Sequence, residues 1–141
     1  MNADEARSVL QARPSSAEAT ASVVSLRDAV AQAVSQAAGG LEWQPVGEQS
    51  SAGCGAPFSG LDATTVFVGD LLAPRAIHEQ WAAAQEAAQR LAADAGFTEV
   101  VVKVDRPDNH QVRFVSPDGA YLDLGTKVTT LVSGATGCHL P

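Results

Sequence analysis

Two stretches of the chain repeat apolar residues at the three- and four-residue spacing of a helix with one buried face. In the first, Val23, Leu26, Val30, Val34 and Ala37 follow Ser15-Ser16-Ala17-Glu18. That opening reads as a capping box, in which a serine oxygen accepts a backbone amide while Glu18 reaches back. Gly39-Gly40 ends the helix by admitting left-handed backbone. In the second, Ile77, Trp81, Ala84, Ala88, Leu91 and Ala95 form the stripe, and Glu79, Gln80, Glu86, Gln89 and Arg90 take the water side. Pro74 predicts the first turn of this helix, and Gly96 its end, with Phe97 placed to pack back on the last turn. Upstream of both, Ala6, Val9 and Leu10 mark a short helical segment within residues 4–13, stopped by Pro14.

The remaining apolar runs have strand character. Leu41 to Val46 alternates weakly and suits an edge, where Pro45 is tolerated. The segment 47–63 is rich in Gly and Ser and predicts the longest loop. Thr64 to Val68 and Thr98 to Val104 are β-branched runs, and the turn Arg106-Pro107-Asp108-Asn109 leads into Gln111 to Val115. Pro117-Asp118-Gly119 is a strong turn signal; Ala120 to Leu124 returns from it, Gly125 marks a bend, and Lys127 to Ser133 runs on. Short turns join antiparallel strands, and two amphipathic helices can cover one face of the resulting sheet. The expected fold is therefore α+β: a two-layer sandwich with a largely antiparallel sheet of about five strands and two long helices on one face. Residues 1–14 are expected to be a tether with a short helix, and residues 15–141 a single domain.

Composition narrows the context. The 141 residues are 45% apolar and 18% charged, enough for one hydrophobic core and too few for two. A net charge of −7 with no basic cluster excludes nucleic acid and anionic lipid surfaces as partners of the folded domain. No apolar run approaches the roughly 18–20 residues that span a bilayer, and the polar opening to Pro14 is not a signal peptide. The chain thus reads either as cytosolic or as a mature exported domain.

The two cysteines favour export. Cys54 and Cys138 both sit beside glycine in loop contexts, where the backbone can approach closely enough for a bridge. A disulfide between them is the expected arrangement, against two free thiols in a reducing compartment; no Cys-x-x-Cys spacing suggests a metal or redox pair. Ser51-Ala52-Gly53-Cys54 resembles a lipoprotein cleavage box, but the polar residues 42–50 ahead of it rule out lipidation at Cys54.

Arg13-Pro14-Ser15 before an acidic helix, Trp43 after it, Gly53-Cys54-Gly55 with Phe58 behind, the Trp81 helix and the terminal Thr136-Gly137-Cys138-His139-Leu140 form a distinctive series. Together they resemble the actinobacterial, mycobacterial LppA-type lipoprotein family across nearly the whole chain. The resemblance implies a domain held on the outer face of the cytoplasmic membrane by a lipidated cysteine, with no known catalytic activity. Neither a leader nor that cysteine is read in the residues given; Met1 is expected to stand in its place, and membrane contact is expected only through a lipid anchor.

Candidate chemistry is sparse. Asp105, Asp108 and His110 surround a turn and offer carboxylate and imidazole groups, although Asp and Asn favour turns by bonding nearby amides. Trp43 is a further candidate for a ligand or partner surface. His78 reads as a helix-flank histidine, His139 as part of the tail, and Asp123 with Lys127 as an ion pair across Gly125. Nothing resembles a nucleophile elbow or a phosphate-binding loop. No cofactor, metal or catalytic group is expected. The expected role is a non-enzymatic envelope domain that binds a protein partner or small ligand; the alternative is an envelope hydrolase or metal-binding domain using Asp105, Asp108 or His110.

Overall fold

The computed structural model describes residues 1–141. Ser15 caps α2 (Ser16–Ala37), its Oγ accepting the Glu18 amide at 3.2 Å. The stripe of α2 is buried through Val23, Leu26, Val30 and Val34, with Ala19 and Ala31 extending it. Ahead of it, α1 (Ala3–Gln11) starts on an Asn2 cap and buries Ala6 and Leu10. The third helix, α3 (Trp81–Asp94), buries Trp81, Ala84, Ala88 and Ala92; Ala95 is exposed, so the stripe turns inward through Ala92 instead.

Pro74 does not open α3. The strand β3 runs from Thr64 to Ala73, five residues beyond the expected end, and a 3-10 turn at His78–Gln80 precedes α3. Tertiary hydrogen bonding overrides the proline signal here: the Ile77 amide donates to Thr126 Oγ1 at 3.0 Å instead of entering a helix.

The sheet holds seven strands, more than the five expected. The segment 47–63 is not all loop, because β2 (Ser50–Gly53) pairs with β3, as does β1 (Gln44–Val46). Both are short, exposed and polar or proline-bearing, and so leave almost no apolar pattern in the sequence. Beyond α3, β4 (Glu99–Arg106), β5 (Asn109–Val115), β6 (Tyr121–Thr126) and β7 (Thr130–Ala135) form an antiparallel meander, and β7 pairs with β3. The order across the sheet is β1-β3-β7-β6-β5-β4, with β2 also paired to β3. The edge strand β4 is valine-rich, but a register shift between Val102 and Val104 throws Lys103 out, a device that blunts an edge against further pairing.

Alternation decides which face is buried. Val68, Val112, Phe114, Leu122, Leu124 and Val132 point toward α2 and α3 and form one core with their stripes. Gly134 lies in that face opposite Leu122, and a Cβ there would meet Val23 Cγ1 at 2.9 Å; glycine lets α2 lie close. A smaller cluster of Ala6, Leu10, Leu61 and Ala63 packs with Phe58, Leu140 and both cysteines. It joins α1, the loop after β2 and the C-terminal tail at one end of the molecule.

Cys54 and Cys138 are joined by a disulfide, with Cα atoms 6.1 Å apart. The tail around it is fixed by one pair of backbone bonds between Thr64 and His139, by Ser16 N to Leu140 O at 2.7 Å, and by Arg13 Nη1 to Cys138 O at 2.9 Å. A Cβ on Gly137 would collide with the Asp118 carbonyl, so the tail can pass the β5–β6 turn only as glycine.

Candidate functional site

Two surfaces gather polar and aromatic side chains. The first lies at the end of the sheet opposite the disulfide, where the β4–β5 and β6–β7 turns meet the start of α3. His110 is the second residue of β5 and pairs across the hairpin with Asp105. Its Nδ1 meets Asp105 Oδ1 at 3.2 Å, and its ring stacks on Trp81 with centroids 5.0 Å apart and planes inclined by 16°. His78 lies beside it, ring centroids 5.4 Å apart. The crossover that carries His78 is held by a directed relay: Ile77 N donates to Thr126 Oγ1, Thr126 to Thr130 Oγ1, and Thr130 to the Arg75 carbonyl at 2.8 Å. The middle bond's direction follows from the last, since Thr130 gives its one hydrogen to the Arg75 carbonyl.

Both threonines are buried, so the relay has no water to replace a lost partner. Thr126→Val is expected to cost about 1–3 kcal/mol, because it strands the buried Ile77 amide. A urea titration measures it; Thr129→Val, one position from the relay, is the control and is expected to leave the midpoint unchanged.

The second surface is the face of the sheet that α2 and α3 leave open. At its centre Arg113 on β5 makes two bonds of 2.8 Å to the Asp123 carboxylate on β6. Its guanidinium also lies 3.7 Å from the centroid of the Tyr121 ring. The Asp123 bond raises the Arg113 pKa further above its usual value. A bulge in β3 sets Gly69 and Asp70 opposite Ser133, and Arg27 of α2 holds that bulge by donating to Gly69 O at 2.6 Å. Asp70 is pushed above the ordinary carboxylate range, mainly by burial; Arg27 pulls it back and Asp123 adds to the rise. Phe67, in the row of Ala135 and Tyr121, stays 40% exposed, and Val101 36%. A shallow cleft of about 250 Å³ between Gln111, Asp123, Lys127 and Ser133 connects this face to His110.

The residues singled out from sequence separate in space. Asp105 and His110 come together, whereas Asp108 is exposed at the tip of the two-residue turn and joins neither. Trp43 donates its Nε1 to Ala31 O at 2.9 Å and packs against the main core, anchoring the chain as it leaves α2. Asp123 pairs with Arg113 and not with Lys127, because the antiparallel register places residue 113 directly opposite 123. Nowhere do three or more His, Cys, Asp or Glu side chains converge as a metal cluster. Sequence reasoning missed Arg113 and Tyr121, although the hairpin centred on Asp118 gives their pairing with Asp123 and Val115 by counting outward from the turn. No local signal links His78 to His110.

These features define a disulfide-closed α+β domain with two helices on one face of an open antiparallel sheet. The chain belongs to the LppA family, described as a lipoprotein confined to pathogenic Mycobacterium, whose model matches residues 1–141. Its fold is similar to that of the LppA protein of Mycobacterium tuberculosis, with a TM-score of 0.69 at 13% identity, covering 94% of this chain and 82% of that one. It is also similar to a DUF4853 family protein from Actinomyces odontolyticus, with a TM-score of 0.64 at 16% identity, covering 94% and 72%. No curated protein matches the chain. No helix is long and apolar enough to cross a membrane.

Proposed function

We propose that the chain is the extracytoplasmic domain of a membrane-anchored envelope lipoprotein, and that it binds a protein partner, without catalysis, through the open face of its sheet. The observation that carries this reading is the face itself. It is left open by both helices, with exposed Phe67 and Val101 around the paired Arg113 and Asp123. Partially apolar exposed surfaces with a fixed charged pair suit macromolecular contact better than a small ligand, which needs an enclosed concave site and finds only a shallow cleft here. Membership of a lipoprotein family supports the location, and a lipid anchor ahead of α1 would turn the disulfide end toward the bilayer. The hydrolase alternative has less to rest on, since His110 meets Asp105, Trp81 and His78, not a hydroxyl or thiol.

A photocrosslinking residue placed at Phe67 or Leu131 in the native envelope tests it. One discrete adduct is expected from each, abolished by Arg113→Glu, with none from Glu86 on the exposed side of α3. Equal labelling from Glu86, or adducts indifferent to Arg113, would count against the open face.

A further inference from the structure

We propose that His78 and His110 form a binding site for a borderline divalent transition ion, Zn²⁺ or Cu²⁺, at the end of the sheet opposite the disulfide. The inference rests on the ring nitrogens and is independent of the protein-binding reading. His78 Nε2 lies 2.8 Å from the Lys127 carbonyl, which can only accept, so the proton is on Nε2 and Nδ1 carries a bare lone pair. His110 Nδ1 faces the Asp105 carboxylate, which by the same reasoning leaves the lone pair on Nε2. Each ring is thus held in the tautomer of a ligand, oriented by a carbonyl in one case and a carboxylate in the other. These are the outer partners that metal-binding histidines ordinarily have.

Two further observations support the pairing. Nδ1 of His78 is buried and has no hydrogen-bond partner. A buried acceptor without a donor is unusual and calls for an explanation, and a cation would satisfy it. The rings are also suitably spaced. An ion about 2.0–2.1 Å from one nitrogen of each imidazole, with tetrahedral angles, sets the centroids roughly 5 Å apart; the observed separation is 5.4 Å. Trp81 fixes the His110 ring by stacking, and Thr126 and Thr130 fix the crossover that carries His78. Imidazole nitrogen is a borderline donor that suits Zn²⁺ or Cu²⁺ rather than Mg²⁺ or Ca²⁺, which prefer oxygen. The site escaped the sequence because its two ligands lie on different elements, with no motif spacing between them.

The test is a Zn²⁺ titration of the whole chain, followed by the ring nitrogens in long-range proton–nitrogen spectra. The expected result is a saturable shift of His78 and His110, with His139, whose Nδ1 contacts Pro14 O, unmoved, and no response to Mg²⁺ or Ca²⁺. His78→Ala and His110→Ala should each abolish binding, and Asp105→Asn should weaken it about 10–100-fold, the range for loss of an outer partner. The proposal is overturned if zinc leaves both rings unmoved, or if His78→Ala binds as tightly as the parent. The ring shifts are read on the unsubstituted protein, so a variant that does not fold leaves the test intact.

Discussion

Replacing Cys54 and Cys138 together by serine is expected to lower stability by about 2–5 kcal/mol. The bridge closes a sequence separation of 84 residues, and in the chain-entropy account long loops restrict the unfolded ensemble most. In the native state it packs against the small cluster of Ala6, Leu10, Leu61 and Ala63, which is separate from the main core. That cluster has only four buried residues, so the bridge is a large part of what holds α1 and the tail together. Loss of the bridge should therefore be local first: amide protection at Thr136, His139 and Ser16 should fall well before protection in β5 and β6. Denaturant titration gives the overall cost, and hydrogen exchange its location. Thiol titration of the unreduced protein, native and unfolded, should find no free sulfhydryl; two per chain would contradict the bridge.

The parts of the fold visible in the sequence are those where one face is apolar and the other is not. Helix α2 follows from its cap and stripe, and β5 and β6 from alternation on either side of the Pro117-Asp118-Gly119 turn. The parts that were hidden depend on partners far along the chain. The strands β1 and β2 expose every residue, so their only determinant is the open edge of β3. Pro74 carries a helix-start signal, yet the crossover obeys Thr126, which is 49 residues from the amide it accepts. A local preference of this kind is weak against a buried hydrogen bond that would otherwise go unmade.

The candidate site divides on the same principle. Asp105 and His110 share a hairpin, so a turn signal brings them together and leaves Asp108 at the tip. The contribution of His78 is tertiary, as is that of Trp81, whose ring serves two roles: it closes the core and supports His110. The charged centre of the open face was accessible in principle, since register fixes Arg113 opposite Asp123 once the turn is placed. What sequence could not reveal is that no element covers that pair, because exposure of one sheet face depends on where both helices pack.

Trp81→Ala is expected to destabilise the protein by about 3–5 kcal/mol, the range for deleting a large buried ring. The argument concerns the company it keeps. The buried stripe of α3 is otherwise Ala84, Ala88 and Ala92, so Trp81 is the one large, fully committed side chain of the helix. Those alanines bring α3 close to α2 and the sheet, and they have no rotamers with which to refill a cavity. Ile77 and Phe114, both fully buried, are tightly placed in the same core and also have little room to relax. The loss should therefore fall toward the upper part of the range. Glu86→Ala makes the contrast within the same helix. Glu86 is 73% exposed and pairs only with Arg90 one turn on, an interaction of about 0.3–0.5 kcal/mol in exposed helices. Its removal should stay within about 0.5 kcal/mol. Both are measured by denaturant titration, and Trp43, the other of the chain's two tryptophans, supplies the fluorescence signal when Trp81 is absent. Equal losses from the two substitutions would mean that α3 presents a different face to the core.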